Sequence, residues 1–225
     1  LGETRRAIEF HEQYLEIARE IGDRRGEGYA LGNLGNAYAD LGESRRAIEF
    51  YERHLEIVRE IGDRRGEGAA LGNLGGAYAD LGETRRAIEF HEQVLEFARE
   101  IGARRGEGAA LGNLGLAYAA LGETRRAIEF YEQQLVIVGE IGDPRCEGNA
   151  LGGLGLAYAA LGEIRRAIEF HEQALKVSRD IGDRRAEGQV LGNLGNTYTE
   201  LGEIRRAIEF HEQALKIFRD IGDRR

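Results

Sequence analysis

The chain has 225 residues and a formal net charge of −9 at pH 7. This acidity argues against nucleic acids and anionic membrane surfaces as partners, because both are bound mainly through clustered Lys and Arg. The hydrophobic content of 42% is typical of a folded chain, and no apolar run approaches the roughly 20 residues of a membrane span.

A phrase beginning Leu-Gly-Glu returns every 40 residues, from Leu1 to Leu201, without insertions. A fixed period of this kind predicts tandem structural units. Each unit divides into two helices, because Gly-Asp and Leu-Gly steps separate stretches in which apolar residues have helical spacing. In chain order we predict a lone second helix and then five pairs of a first and a second helix: 3–21, then 23–61, 63–101, 103–141, 143–181 and 183–221.

Both helices of a pair carry apolar faces. Leu31 and Leu34 mark the face of one first helix, and Ala47 and Tyr51 belong to a broader stripe on the second helix that follows. A helix with so broad an apolar surface must be covered on two sides, which stacked repeats provide. We expect Gly35 and its equivalents to lie opposite the small residues at the Ala47 position, where two helices can approach closely.

The residues at these positions resemble the signature of tetratricopeptide repeats. The period of 40 exceeds the common one of about 34, and the longer unit is most similar to those of Pins-type G-protein-signalling modulators, kinesin light chains and bacterial tetratricopeptide regulators. The resemblance implies an all-α fold, a right-handed superhelical α-solenoid of antiparallel helix pairs. We expect residues 1–225 to form a single array and to be a fragment of a longer protein, because the first residue already lies inside a repeat. In one repeat the matching residues are Leu31, Leu34, Gly35, Tyr38, Gly42, Ala47, Tyr51 and Leu55.

The histidines and the single cysteine do not predict catalysis. His11, His91, His171 and His211 occupy the same place in different repeats, about 10 Å or more apart. Zinc-bound imidazole nitrogens lie about 2 Å from the metal, so these side chains cannot share an ion. We interpret them as substitutes for tyrosine and predict no metal site, no cofactor and no enzymatic activity. Cys146 has no partner for a disulfide, which favours a reducing, cytoplasmic location.

One face of the first helices carries the candidate binding residues, at the spacing i, i+4, i+7 and i+11. The resemblance implies that this face lines a concave groove and that a ladder of Asn side chains there holds a peptide backbone. An amide side chain suits this role because it both donates and accepts hydrogen bonds. Gly153 interrupts the ladder. The candidate residues are Tyr29, Asn33, Asn36, Asp40, Asn73, Asp80, Asn113, Leu116, Asn149, Leu156, Gln189, Asn193, Asn196 and Glu200.

The sequence therefore predicts a protein-interaction scaffold that binds a peptide or protein segment in the groove. Apolar Leu116 and Leu156 at its middle and acidic Asp40, Asp80 and Glu200 towards its ends favour a ligand with an apolar centre and basic flanks. Two alternatives stay open. One is head-to-tail self-assembly through uncapped ends, and the other is the sensor or partner-binding part of a multidomain signalling ATPase or regulator.

Overall fold

The computed structural model describes residues 2–222, and all regular structure in this part of the chain is α-helical. The predicted all-α fold of helix pairs is confirmed. Even-numbered helices are the first helices of their pairs, and odd-numbered helices are the second. None of these helices combines the length and apolar composition needed to cross a membrane. Their bounds are α1 (Gly2–Glu20), α2 (Arg24–Asp40), α3 (Ser44–Glu60), α4 (Arg64–Asp80), α5 (Thr84–Glu100), α6 (Arg104–Ala120), α7 (Thr124–Ile141), α8 (Pro144–Ala160), α9 (Ile164–Asp180), α10 (Arg184–Glu200) and α11 (Ile204–Asp220).

The helix ends follow from glycine and aspartate at fixed places. The glycine just after each helix has a φ between 64° and 83°, a left-handed conformation in which a side chain would be strained. The carboxylate of Asp23 accepts a hydrogen bond from the backbone N–H of Gly26 at 2.9 Å and so caps the start of α2. Aspartates cap α4, α8 and α10 in the same way. Ala103 stands at this place before α6 and provides no side-chain cap.

Each pair is fixed by a repeated stack of an arginine and two aromatic rings. In the first complete pair, the rings of Tyr38 and Phe50 lie nearly parallel with centroids 5.2 Å apart. The guanidinium carbon of Arg46 lies 4.0 Å from the centroid of the Tyr38 ring. Equivalent stacks occur in the other four pairs. Such contacts add a cation–π attraction to the burial of aromatic surface.

The glycines in the middle of the first helices make room for aromatic rings. A Cβ atom on Gly35 would lie 2.4 Å from Cε1 of Tyr51, and one on Gly115 would lie 2.5 Å from Cε1 of Tyr131. The expectation that these glycines lie opposite the Ala47 position is therefore wrong. In the first complete pair, the ring of Tyr51, one helical turn after Ala47, lies beside Gly35.

Recurrent glutamates early in the first helices have a structural role. Glu27 is buried, and its two carboxylate oxygens accept hydrogen bonds from Arg19 at 2.8 Å and from Arg24 at 2.6 Å. Burial raises the pKa of this carboxyl, but the two arginine hydrogen bonds outweigh that effect and bring the pKa below its usual range. Glu67 and Glu187 make equivalent pairs.

The contacts between helices divide the chain into two compact units: unit 1, Leu1–Gly102, and unit 2, Ala103–Arg225. In unit 1, each helix packs on the next, and the first helices α2 and α4 also contact each other. In unit 2, α6 to α11 pack in the same order, and α8 contacts both α6 and α10. The first helices thus form a shared face within each unit. That the whole chain is one array stays a prediction.

Candidate functional site

All the candidate residues lie on first helices, and none of these described side chains is buried. Asn33, Asn73 and Asn193 are half-buried, and the others are exposed. The candidates on α2 and α4 belong to unit 1, and those on α6, α8 and α10 belong to unit 2. The two faces differ in chemistry.

In unit 1, hydrogen bonds within the protein occupy the candidate face. Oδ1 of Asn36 on α2 accepts a hydrogen bond from the hydroxyl of Tyr51 at 2.8 Å and another from Nδ2 of Asn73 on α4 at 3.2 Å. Nδ2 of Asn33 donates to the backbone carbonyl of Tyr29 at 2.9 Å. Burial raises the pKa of Tyr51 to about 12, so its hydroxyl keeps the proton that it donates. The amides of α2 and α4 therefore bind one another.

Acidic side chains lie at the C-terminal ends of the unit 1 first helices. Asp40 is the last residue of α2 and Asp80 the last residue of α4, and both are exposed. Exposed carboxylates at these places add negative charge to helix ends that already carry a partial negative charge. They suit the approach of a basic group.

In unit 2, the corresponding face holds a cavity of about 650 Å³. Residues of α6 to α10 line it, and Leu116 and Leu156 in its wall are 62% and 54% exposed. Asn196 and Glu200 lie on α10 outside the lining. Six of the candidate residues line the cavity: Asn113, Leu116, Asn149, Leu156, Gln189 and Asn193.

Two residues of the unit 1 network are replaced in the lining of this cavity. Leu116 stands where unit 1 has Asn36, and Gly153 stands where unit 1 has Asn73. A Cβ atom on Gly153 would lie 2.6 Å from Cζ of Tyr131. The ring of Tyr131 thus lies directly beside the backbone of Gly153, where unit 1 has an asparagine in its hydrogen-bonded network.

The second helices also contribute to this cavity, which the pattern along the first helices does not indicate. Tyr131 and Gln134 of α7 line it, as does Val177 of α9. Gln134 stands on the apolar stripe of its helix, at a position that holds Val94 and Ala174 in other repeats. The amide at this position, which is aliphatic in the two neighbouring repeats, was the available signal.

The lining is nearly free of net charge. Within the described part of the chain, the charged side chains that line the cavity are Arg145 and Asp183, and Nη2 of Arg145 lies 3.7 Å from Oδ2 of Asp183. Cys146 also lines it, and burial raises the pKa of this thiol, so that it is protonated at neutral pH. The arrangement can hold an uncharged ligand through apolar contacts and amide hydrogen bonds, and it activates no thiol nucleophile.

The histidines act as packing residues. His91 and His171 are buried at the position that holds tyrosine in Tyr51 and Tyr131. Neither ring nitrogen of His171 has a hydrogen-bond partner among residues 2–222, and burial lowers the pKa of this imidazole to about 4. Over the same residues, no three His, Cys, Asp or Glu side chains lie close enough to hold a metal ion.

Solved structures with the same fold come from several kinds of protein. BtubC from P. vanneervenii is 21% identical, with a TM-score of 0.84 over 99% of this chain and 93% of that one. A Signal Transduction ATPase with Numerous Domains from Pyrococcus horikoshii, which has a tetratricopeptide repeat sensor, is 21% identical with a TM-score of 0.80, over 91% of this chain and 32% of that one. A Rap protein complexed with competence and sporulation factor is 15% identical with a TM-score of 0.70, over 100% of this chain and 72% of that one.

No curated protein matches the sequence. The family is established by the repeats themselves. The tetratricopeptide repeat model matches residues 1–60, 30–100, 66–137 and 146–220, and the chain therefore belongs to the tetratricopeptide repeat family.

Proposed function

We propose that this chain is a non-enzymatic scaffold that binds a peptide or protein segment on the face formed by its first helices, with the cavity of unit 2 at the centre of the site. The observation that carries the proposal is this cavity of about 650 Å³, which is lined by six of the candidate residues selected from the sequence. Binding pockets are typically concave and mostly apolar, with a few placed polar groups. The cavity has these properties.

The proposed ligand has an apolar centre, because Leu116 and Leu156 expose aliphatic side chains in the wall of the cavity. A basic flanking residue of the ligand would complement the exposed carboxylate of Glu200 in unit 2. The amides of Asn113 and Asn193 would bind its backbone. A Rap protein of similar fold is complexed with competence and sporulation factor, which supports this use of the fold.

The proposal is tested with peptides selected on the full chain from a random displayed library. An enriched peptide is labelled, and its affinity is measured by fluorescence polarisation. We expect Leu116→Glu to weaken binding at least tenfold, because it replaces the apolar surface that the ligand contacts with a charge that would lose hydration in the complex. Asn113→Ala is expected to weaken binding by about fivefold through the loss of one hydrogen bond.

The matched control is Asn36→Glu, which introduces the same charge at the same repeat position of unit 1. This variant should bind with nearly unchanged affinity if the ligand centre lies in unit 2. Retained affinity in Leu116→Glu, with circular dichroism showing an intact fold, would show that the groove assignment is wrong.

Exposed apolar side chains on the terminal helices favour self-association as a second candidate function. Phe10 and Ile17 of α1 and Ile208 and Leu215 of α11 are each about half exposed. Head-to-tail assembly predicts a mass that grows with protein concentration in light scattering without any added ligand. A constant monomer mass would exclude it.

A role as the sensor part of a larger signalling ATPase is the other alternative, supported by the fold shared with a tetratricopeptide repeat sensor. In that case the same face would bind the signal, and catalysis would reside outside these residues. The unpaired thiol of Cys146 is consistent with a cytoplasmic location for either role.

A further inference from the structure

Gln134 is a buried amide without a partner. Its side chain lines the unit 2 cavity, yet the residue is only 4% exposed. Its Nε2 atom lies against the backbone of Gly112 on α6, where an added Cβ atom would come within 2.5 Å. Nowhere in residues 2–222 does its side chain find a hydrogen-bond partner. Because buried amides are usually hydrogen-bonded, an amide placed in this way can bind a polar group that enters the cavity.

The hydroxyl of Tyr131 is in the same situation. Tyr131 is 3% exposed and lines the cavity, and its hydroxyl has no hydrogen-bond partner in the described chain. The side-chain polar atoms that are both unpartnered and inaccessible to solvent are ring nitrogens of His54, His91 and His171. The polar atoms of Tyr131 and Gln134 are not among them, so these atoms remain open to the cavity. The two residues are three apart on α7 and therefore point from the same side of that helix.

Unit 1 contains the same two positions, with different polar groups around them. The equivalent residues are Tyr51 and His54. The hydroxyl of Tyr51 already donates to Asn36, and the ring of His54 lies against Gly32, where an added Cβ atom would come within 3.1 Å. Unit 1 therefore offers a matched control in which the repeat register is kept, the tyrosine hydroxyl is already hydrogen-bonded and no amide stands at the second position.

The charge of the surroundings limits what the cavity can hold. Arg145 and Asp183 lie close enough to offset each other, and the rest of the lining is uncharged. A ligand side chain with its own charge would lose its hydration without gaining an opposite charge. An uncharged, apolar side chain would instead contact the exposed surfaces of Leu116 and Leu156.

We propose that Tyr131 and Gln134 form a hydrogen-bonding subsite that holds the backbone of one peptide residue, whose bulky, uncharged, apolar side chain packs on Leu116 and Leu156. The glutamine amide can donate to a peptide carbonyl and accept from a peptide N–H, and the tyrosine hydroxyl donates a further hydrogen bond. The inference rests on the proposed function and names the part of the ligand that unit 2 recognises.

The test uses the full chain labelled with ¹⁵N and a minimal probe, the blocked peptide acetyl-Gly-Gly-Leu-Gly-Gly-amide, followed by nuclear magnetic resonance. We expect the probe to shift the side-chain amide signals of Gln134 and the backbone signal of Gly112. Tyr131→Phe and Gln134→Leu should each weaken binding about fivefold, because each removes one hydrogen bond to the probe. The unit 1 variants Tyr51→Phe and His54→Leu should leave the probe affinity unchanged.

Probes with Glu or Lys in place of Leu should bind at least tenfold more weakly than the leucine probe. A second control, 1-hexanol, tests whether an apolar compound without a peptide backbone binds the cavity equally well. The subsite is wrong if the charged probes bind as well as the leucine probe. It is also wrong if Tyr131→Phe and Gln134→Leu both retain full affinity for the leucine probe. A third contradicting result is that 1-hexanol displaces the leucine probe completely and binds with a higher affinity than the probe.

The outcomes separate this inference from the proposed function. A library-selected peptide that depends on Leu116 but not on Tyr131 or Gln134 overturns the subsite and leaves the scaffold function standing. Absence of binding by both the library peptides and the leucine probe overturns both.

Discussion

Units 1 and 2 are built from the same repeat, yet their first-helix faces have opposite properties. In unit 1, Asn36 joins Tyr51 and Asn73 in a hydrogen-bonded network between α2 and α4. In unit 2, Leu116 and Gly153 replace the two asparagines, and the face contains an apolar cavity. Two substitutions in a preserved helical frame thus change the polarity of the face. Repeat proteins permit this, because each repeat depends mainly on its neighbours and can vary its surface locally.

The largest expected effect concerns the pH dependence of stability through His171. The pKa of this imidazole falls from an ordinary value of 6.5 to about 4 in the folded chain, because burial disfavours the charged form. Between these two values the unfolded chain binds more protons, so stability should decrease as the pH falls from about 6.5 to 4. A shift of this size corresponds to about 3 kcal/mol.

The measurement compares urea unfolding of the wild type and of His171→Phe at pH 7 and pH 4. The variant should lose about 3 kcal/mol less than the wild type over this range. His91→Phe in unit 1 should change the pH dependence in the same direction, because burial also lowers the pKa of His91. An equal pH dependence in wild type and His171→Phe would contradict the account of a buried, neutral imidazole.

Exchanging the residues that distinguish the units should destabilise both of them. Gly153→Asn should cost about 1–3 kcal/mol, because an added Cβ atom would lie 2.6 Å from Cζ of Tyr131, whose ring also lies against Gly115. The reciprocal Asn73→Gly should cost about 1–2 kcal/mol, through the lost hydrogen bond to Asn36 and the low helix propensity of glycine. Thermal unfolding followed by circular dichroism would measure both. If Gly153→Asn were as stable as the wild type, the ring of Tyr131 would not be held in the position that the structure gives it.

The missing cap of α6 predicts a stabilising substitution. Four of the five first helices begin with an aspartate cap, and α6 begins after Ala103. Ala103→Asp should stabilise the chain by about 1 kcal/mol, because its carboxylate can accept the hydrogen bond that is missing. The reverse change Asp183→Ala at the start of α10 should destabilise by a similar amount in urea unfolding. Equal stabilities of Ala103→Asp and the wild type would show that the cap does not form at α6.

The smallest expected effect is a difference in the free energy of unfolding between Tyr51→Phe and Tyr131→Phe. Tyr51→Phe should cost about 1 kcal/mol, because the hydroxyl donates to Asn36 in a half-buried site. Tyr131→Phe should leave the free energy of unfolding nearly unchanged, because its hydroxyl has no partner within the described chain. Equal losses in the two variants would contradict the difference between the faces.

Much of the fold could be predicted because its determinants are local and repeated. The period of 40 residues, the glycine after each helix and the aspartate before most first helices indicate where the helices begin and end. The sequence did not indicate that Gly35 faces the ring of Tyr51, since helical periodicity orders residues on one helix but does not specify the neighbour that each one meets.

The candidate site could be predicted only in part, for a similar reason. The spacing along the first helices selected Asn113, Leu116 and Leu156, which line the cavity. Tyr131 and Gln134 lie on a second helix, which the spacing along the first helices does not address. They are open to the cavity because Gly112 and Gly153 leave space beside them, which depends on the packing of three helices.

The most direct test of the central claim is amide hydrogen exchange of the full chain with and without a saturating library-selected peptide. The account predicts slower exchange along α6 and α8 of unit 2, while exchange in α2 and α4 of unit 1 stays unchanged. Protection confined to α2 and α4, or to the exposed surfaces of the second helices, would contradict it.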